Sequence, residues 1–106
     1  MTEYVAPQRD IRFVMNELLD SEGLYKTLPG FEEASEDLLN TIVAEAAKFS
    51  EEVLAPLNRS GDEEGCVWSE EGVTTPAGFR EAYQQYVENG WPALAAPVES
   101  GGQGMP

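Results

Sequence analysis

The sequence predicts an all-α fold, a small helical bundle. Three observations carry that prediction. Apolar residues recur at helical spacing in three separate stretches. Each stretch is bounded by residues that start or stop helices. No run with a period of two extends far enough to make a strand. A helix with one apolar stripe must bury it against another element, and three such helices bury their stripes together.

The first helix is expected to start at Asp10 as N-cap, with Ile11, Val14/Met15 and Leu18/Leu19 on one face and Asp20 to Gly23 as its end. Leu24 to Gly30 reads as a connector with a Pro-Gly turn, whose Leu24, Tyr25 and Leu28 lie back on the bundle. The second helix is the clearest. Ser35 caps it, and Glu36 and Asp37 set negative charge at the positive end of its dipole. At 100° per residue, Leu38, Leu39, Ile42, Val43, Ala46, Phe49, Val53 and Leu54 occupy an arc of roughly 160°. Asp37, Asn40, Thr41, Glu45, Lys48, Glu51 and Glu52 take the other side, with Lys48 in reach of Glu45, Glu51 and Glu52. Each such pair is worth only ~0.2–0.5 kcal/mol, whereas each large apolar side chain contributes roughly 1.5–3 kcal/mol on burial. Tertiary burial therefore decides whether this helix forms. Pro56 is expected to stop it, by restricting Ala55 and removing an N–H.

Residues 57–74 then read as a long loop, and loops of that length are often functional or packed on a neighbour. Within it, Trp68 either folds back into the core or touches polypeptide elsewhere. Thr75-Pro76 marks the third helix: a capping hydroxyl, then proline in the first turn. Phe79, Ala82/Tyr83 and Tyr86/Val87 form its apolar face, and Asn89-Gly90 closes it with a left-handed cap. Trp91 is expected to pack back on the helix end.

At 106 residues the chain is one domain at most. Apolar residues make up 42%, a globular proportion. No apolar run approaches the roughly 20 residues a membrane span needs, and no basic start followed by an apolar stretch marks a secretory signal. A soluble cytoplasmic protein is the expectation. Twenty acidic residues against six basic ones give a net charge of −14. That excludes nucleic acid, which needs a basic footprint, and disfavours anionic membranes. The acids serve either as a docking surface for a basic partner or, the simpler reading, as a solvated surface that keeps the protein soluble. The lone cysteine, Cys66, rules out an internal disulfide and is expected as a small, half-buried apolar residue. The absence of histidine removes Ser-His and Cys-His pairs and the ordinary zinc sites.

The motifs that suggest chemistry are weak. A calcium loop starting at Asn58 would need Gly at its sixth place and Glu at its twelfth, and these places hold Glu63 and Ser69. Gly101-Gly102-Gln103-Gly104 lacks the Gly-Lys-Ser/Thr of a Walker loop and the preceding strand of a dinucleotide site. It reads as a turn using positive φ or close backbone approach. Adjacent carboxylates such as Glu32/Glu33 and Glu51/Glu52 do not face each other on a helix. Tyr83 and Tyr86 are expected in the core. The apolar, proline-broken connector Gly90 to Pro97 runs into that glycine turn, and a segment of this kind normally leads into more packed structure. The expectation is that the chain is the front end of something larger.

Three places, in order, resemble one family. Ala47-Lys48-Phe49 with Glu51-Glu52-Val53-Leu54-Ala55-Pro56-Leu57-Asn58 resembles the end of the first long domain helix of acyl-CoA dehydrogenases. Thr75-Pro76-Ala77-Gly78-Phe79 with Tyr83 resembles the next helix. Gly90-Trp91, Pro97, Glu99 and Gly101-Gly102-Gln103-Gly104 resemble the end of the N-terminal helical domain. On this resemblance residues 31–106 are that domain. Residues 1–30, from Tyr4-Val5-Ala6-Pro7 through Phe13 to Leu28-Pro29-Gly30-Phe31, are similar to a one-helix extension in a larger bacterial branch that includes enzymes acting on methylthio-propionyl-CoA. The resemblance implies an FAD enzyme in which a glutamate takes the α proton of an acyl-CoA, the β hydride goes to the flavin, and electrons pass to an electron-transfer flavoprotein. It implies a homo-oligomer when complete. The glutamate and most flavin contacts lie in later domains of the family, so no residue here takes a catalytic, cofactor or metal role. Gly101, Gly102, Gln103 and Gly104 are expected to contribute to the wall of the substrate pocket. Residues 1–106 alone are expected neither to hold FAD nor to turn over substrate. The alternative is a free-standing acidic helical module that binds a partner through its apolar tail.

Overall fold

A computed structural model describes residues 3–106, and the all-α expectation holds. Pro7, not Asp10, precedes the first helix, α1 (Gln8–Arg12), which continues without a break as a π-helical segment, Phe13–Leu18. Proline's fixed φ suits that entry, and it leaves Asp10 inside the first turn. Asp20, in the left-handed region at φ 46°, breaks the chain direction as expected, but a further turn of helix, α2 (Ser21–Tyr25), follows directly.

Helix α3 (Glu36–Phe49) starts as predicted, the Ser35 hydroxyl accepting from the Leu38 N–H at 3.2 Å. Its end differs from expectation. The helix passes through a π segment, Ser50–Leu54, straight into α4 (Ala55–Glu64), so Pro56 does not stop it. The Ala55 N–H bonds to the Ser50 carbonyl, five residues back. An α-helix would put the proline ring against the carbonyl four residues earlier, and the widened turn just before Pro56 relieves that crowding.

The long loop expected over 57–74 is therefore mostly ordered structure. After α4 comes a hairpin of β1 (Val67–Ser69) and β2 (Gly72–Thr74), antiparallel, with Trp68 opposite Val73. It corrects the expectation of no strand. Both strands are three residues long, too short for a periodic signal. Helix α5 (Phe79–Glu88) starts four residues past Thr75. A turn through Gly78, at φ 88°, swings Phe79 onto Gly61 of α4, where an added Cβ would sit 2.4 Å from the Phe79 ring. The left-handed cap at Gly90 (φ 82°) is as expected, and 3₁₀ turns at Trp91–Ala93 and Val98–Ser100 complete the chain.

Three polar ties fasten the stretch from Ala6 to Glu22 along α3 and its π extension. The Ala6 N–H donates to Glu51 Oε1 at 2.8 Å, Asn16 Nδ2 donates to Asn40 Oδ1 at 3.0 Å, and the Glu36 N–H donates to Glu22. As the first partner advances from 6 to 22, the second retreats from 51 to 36, so the two segments run antiparallel. Glu51 serves this tie rather than pairing with Lys48. The ion pairs among the described residues are Lys26–Glu22 and Arg59–Glu63.

The molecule is a slab, 53 × 37 × 16 Å, with a radius of gyration of 17.5 Å. A packed domain of this length has a radius near ~13 Å, and one helix is about 10–12 Å across. The helices lie side by side in one layer, open on their broad faces. Its buried apolar residues are Ala34, Leu39, Ala47 and Ala82. Several expected core residues are exposed: Leu24, Leu28, Tyr83, Tyr86 and, on the first helix, Ile11, Val14, Leu18 and Leu19. One layer cannot cover both sides of its own stripes. Cys66 is exposed as well, because it enters the hairpin rather than the layer. Among the described residues no helix is long and apolar enough to cross a membrane.

Candidate functional site

The connector after α5 builds the most structured surface. The 3₁₀ turn at Trp91–Ala93 follows the Gly90 cap, and Trp91 is half-buried near the end of α5, as expected. After Pro97 the chain doubles back. The Gln103 N–H donates to the Ala93 carbonyl at 2.9 Å, Gly104 to Ala96 at 2.9 Å, Met105 to Leu94 at 3.0 Å and Gly102 to Pro97 at 3.0 Å. Gly101 turns at φ 88° and donates to Val98. Gly102 is required by close approach: an added Cβ would lie 2.0 Å from the Ala96 carbonyl oxygen, a backbone atom that cannot step aside.

This geometry decides against a phosphate cradle. An anion nest needs free N–H groups converging on one point. Here the N–H groups of residues 101–105 each already donate to a carbonyl of the same turn.

A cleft of about 570 Å³ lies between α3 with its π extension and the end of α5. Ile42, Phe49, Val53 and Leu94 give it an apolar floor, and Thr41, Glu45, Lys48, Glu52, Gln85 and Asn89 give it a polar rim. Of the four residues singled out in the glycine turn, Gln103 reaches the cleft lining, while Gly101, Gly102 and Gly104 shape the turn behind it. Sequence reasoning missed the rim, because Thr41, Glu45, Lys48 and Glu52 lie on the helix side assigned to solvent. Trp91 also lines the cleft, and its Nε1 is buried without a partner, a cost of about 1–3 kcal/mol for a donor left unmade. A second cleft, about 800 Å³, lies where Tyr4 and Val5 meet Leu54, Pro56 and Arg59.

Neither cleft carries a nucleophile–base pair, and no group of three or more metal-binding side chains exists among the described residues. The acidic loop Asp62-Glu63-Glu64 is the last turn of α4, with Glu63 bound to Arg59 at 2.9 Å and Glu64 accepting from the Ala77 N–H at 3.0 Å. The titration shifts lie away from both clefts. Glu22 is held below the ordinary carboxylate range by the Glu36 N–H and then by Lys26, and Lys26 is raised by Glu22 in return.

A dinucleotide cofactor needs donors or cations for its pyrophosphate. With the turn's amides engaged and a net charge of −14, the described residues do not fit such a group by themselves. Fold and clefts together define a flat, largely helical protein with two surface clefts.

No family model matches the chain. Over 103 residues, 97% of its length, it is 37% identical to the 3-methylmercaptopropionyl-CoA dehydrogenase of Ruegeria pomeroyi. By sequence the chain is thus similar to a part of an acyl-CoA dehydrogenase. It spans 17% of that relative's length.

Proposed function

We propose that the chain is the N-terminal helical part of a cytoplasmic, FAD-dependent acyl-CoA dehydrogenase that carries out α,β-dehydrogenation of an acyl-CoA thioester. The observation that carries this reading is the 37% identity sustained over 97% of the chain. Two physical features support it. A layer 16 Å thick with open apolar faces lacks the second layer that stable domains have. The chain also sets only six basic residues against twenty acidic ones, and the amides of its glycine turn are engaged, so we assign most contacts with the phosphates of CoA or FAD to other polypeptide. In the complete enzyme this layer forms one side of the flavin and acyl-CoA site and keeps water from it. The turn Gly101–Gly104, with Gln103 foremost, contributes to the acyl pocket wall. Electron-transfer flavoprotein is the electron acceptor, and the complete enzyme is a homo-oligomer.

The test is flavin absorbance and acyl-CoA turnover of residues 1–106 and of the full-length gene product, purified side by side. Bound flavin and activity are expected in the long form alone. A colourless long form, inert toward acyl-CoA thioesters, would overturn the reading in favour of a protein-interaction module.

A further inference from the structure

The hairpin is a built element without a task inside the layer. Its base is tied by the Ala77 N–H donating to Glu64 at 3.0 Å, and its tip by the Ser69 hydroxyl, which donates to the Gly72 carbonyl at 3.3 Å and accepts from the Glu71 N–H at 3.2 Å. Yet it adds nothing to the core. Trp68 is 75% exposed and Val73 64% exposed, and their cross-strand pairing sets both side chains on one face. An isolated two-stranded hairpin is marginal in water. A tryptophan held out from a rigid element, ringed by groups that exclude water, is the usual anchor of a buried interface.

The charge around it selects what covers it. Along the chain Asp62 and Glu64 precede the hairpin, Glu70 and Glu71 form its turn, and the base that precedes it in sequence, Arg59, is already bound to Glu63. A second copy would bring the same acids, and with −14 on each chain this face repels itself. We infer that the hairpin Val67–Thr74 is a docking prong, its Trp68–Val73 face seated in an apolar pocket rimmed by lysine or arginine on the remainder of the full-length polypeptide. This rests on the reading of the chain as part of a larger dehydrogenase.

The experiment is amide hydrogen exchange on the full-length protein, following peptides that cover residues 65–76 and, as an internal reference, 36–49. The hairpin amides are expected to exchange at least ~100-fold slower than an open hairpin allows. Trp68→Ala is expected to cut that protection ~10-fold or more, leaving the reference peptide unchanged, and the pair Glu70→Lys, Glu71→Lys to do the same. Raising sodium chloride to about 1 M should weaken protection in the wild type, since it screens rim charges. Unprotected hairpin amides in a flavin-loaded, active enzyme would overturn the prong while leaving the enzyme reading intact. Protection that disappears on dilution to monomers would also overturn it, by assigning the pocket to a second subunit.

Discussion

The two ends of the chain are fastened in opposite ways. The C-terminal turn is closed by backbone amides donating to carbonyls no more than eleven residues away, the longest reach being Met105 to Leu94. The N-terminal stretch is fastened to α3 by side chains that reach 14 to 45 residues along the sequence. A turn closed by backbone bonds is fixed by local conformation and tolerates most side-chain changes except where a Cβ collides. A segment tied by side chains releases when one partner is removed, and releases locally. Shape is therefore stored in glycine placement at one end and in particular polar pairs at the other.

The sharpest way to break this contrast is Gly102→Ala. The new methyl meets the Ala96 carbonyl oxygen 2.0 Å away, and overpacking against backbone costs about 3 kcal/mol. Amide exchange of residues 101–105 in the full-length protein should accelerate ~100-fold. Gly30→Ala is the control: its φ is 93° with open space around it, so the cost is about 1 kcal/mol from backbone conformation alone. Equal effects from the two substitutions would dismiss close approach as the reason for Gly102.

Glu51→Ala tests the other end. It removes the acceptor for the Ala6 N–H, worth about 1 kcal/mol at a partly buried site. Exchange in a peptide covering residues 3–12 should rise several-fold with the C-terminal turn unaffected, and a matching rise at residues 101–105 would show that the two ends are not independent.

The smallest effect is expected from Glu22→Gln. Because the folded state lowers the Glu22 pKa, the unfolded chain binds the proton more readily. The stabilisation is present above the ordinary glutamate value, about 4.3, and is lost as pH falls through the lowered folded value. Lys26, raised by the same pair, contributes below its ordinary value of about 10.4 and loses that contribution as pH rises through the folded one. Both groups are exposed, so solvent screening keeps the effect small. A plot of Tm against pH should be flatter on the acid side for the variant, and an unchanged acid limb would remove Glu22 from the set of fastenings.

What was legible in the sequence follows the same division. Ser35 and Gly90 act within a turn or two of themselves, and each has the role read for it; along the helical run from Leu38 to Leu54 the apolar stripe is buried at Leu39 but exposed at both ends, Leu38 and Leu54. The glycine turn was recognisable as a turn, but the demand at Gly102 comes from Ala96 and needs the folded chain. The ties Ala6–Glu51 and Asn16–Asn40 had no local signal, since a lone Asn or Glu on a polar helix side looks solvated until its partner is known. Pro56 was read by the rule for α-helices, and a π turn is the exception. The hairpin did leave a trace: Val67-Trp68 and Val73-Thr74 are strand-favouring pairs on either side of Glu70-Glu71-Gly72, though each is too short to compete with a loop. Of the residues lining the cleft, Gln103 stands in a turn that the sequence singles out, whereas the helical rim does not stand out, because polar side chains lining a groove are indistinguishable by periodicity from those facing water.

The π segment at Ser50–Leu54 has a consequence for everything that follows it. It adds one residue to a continuous helix, and each residue of an α-helix turns the next side chain by 100°. Beyond Leu54 the side chains are therefore rotated by about that angle from where an uninterrupted helix would aim them. Gly61 meets Phe79, Leu57 meets Gly78, and the hairpin departs in the direction that rotation sets. One surplus residue in the longest rod of the molecule thus works as a gear tooth, fixing the bearing of the second half of the chain relative to the first.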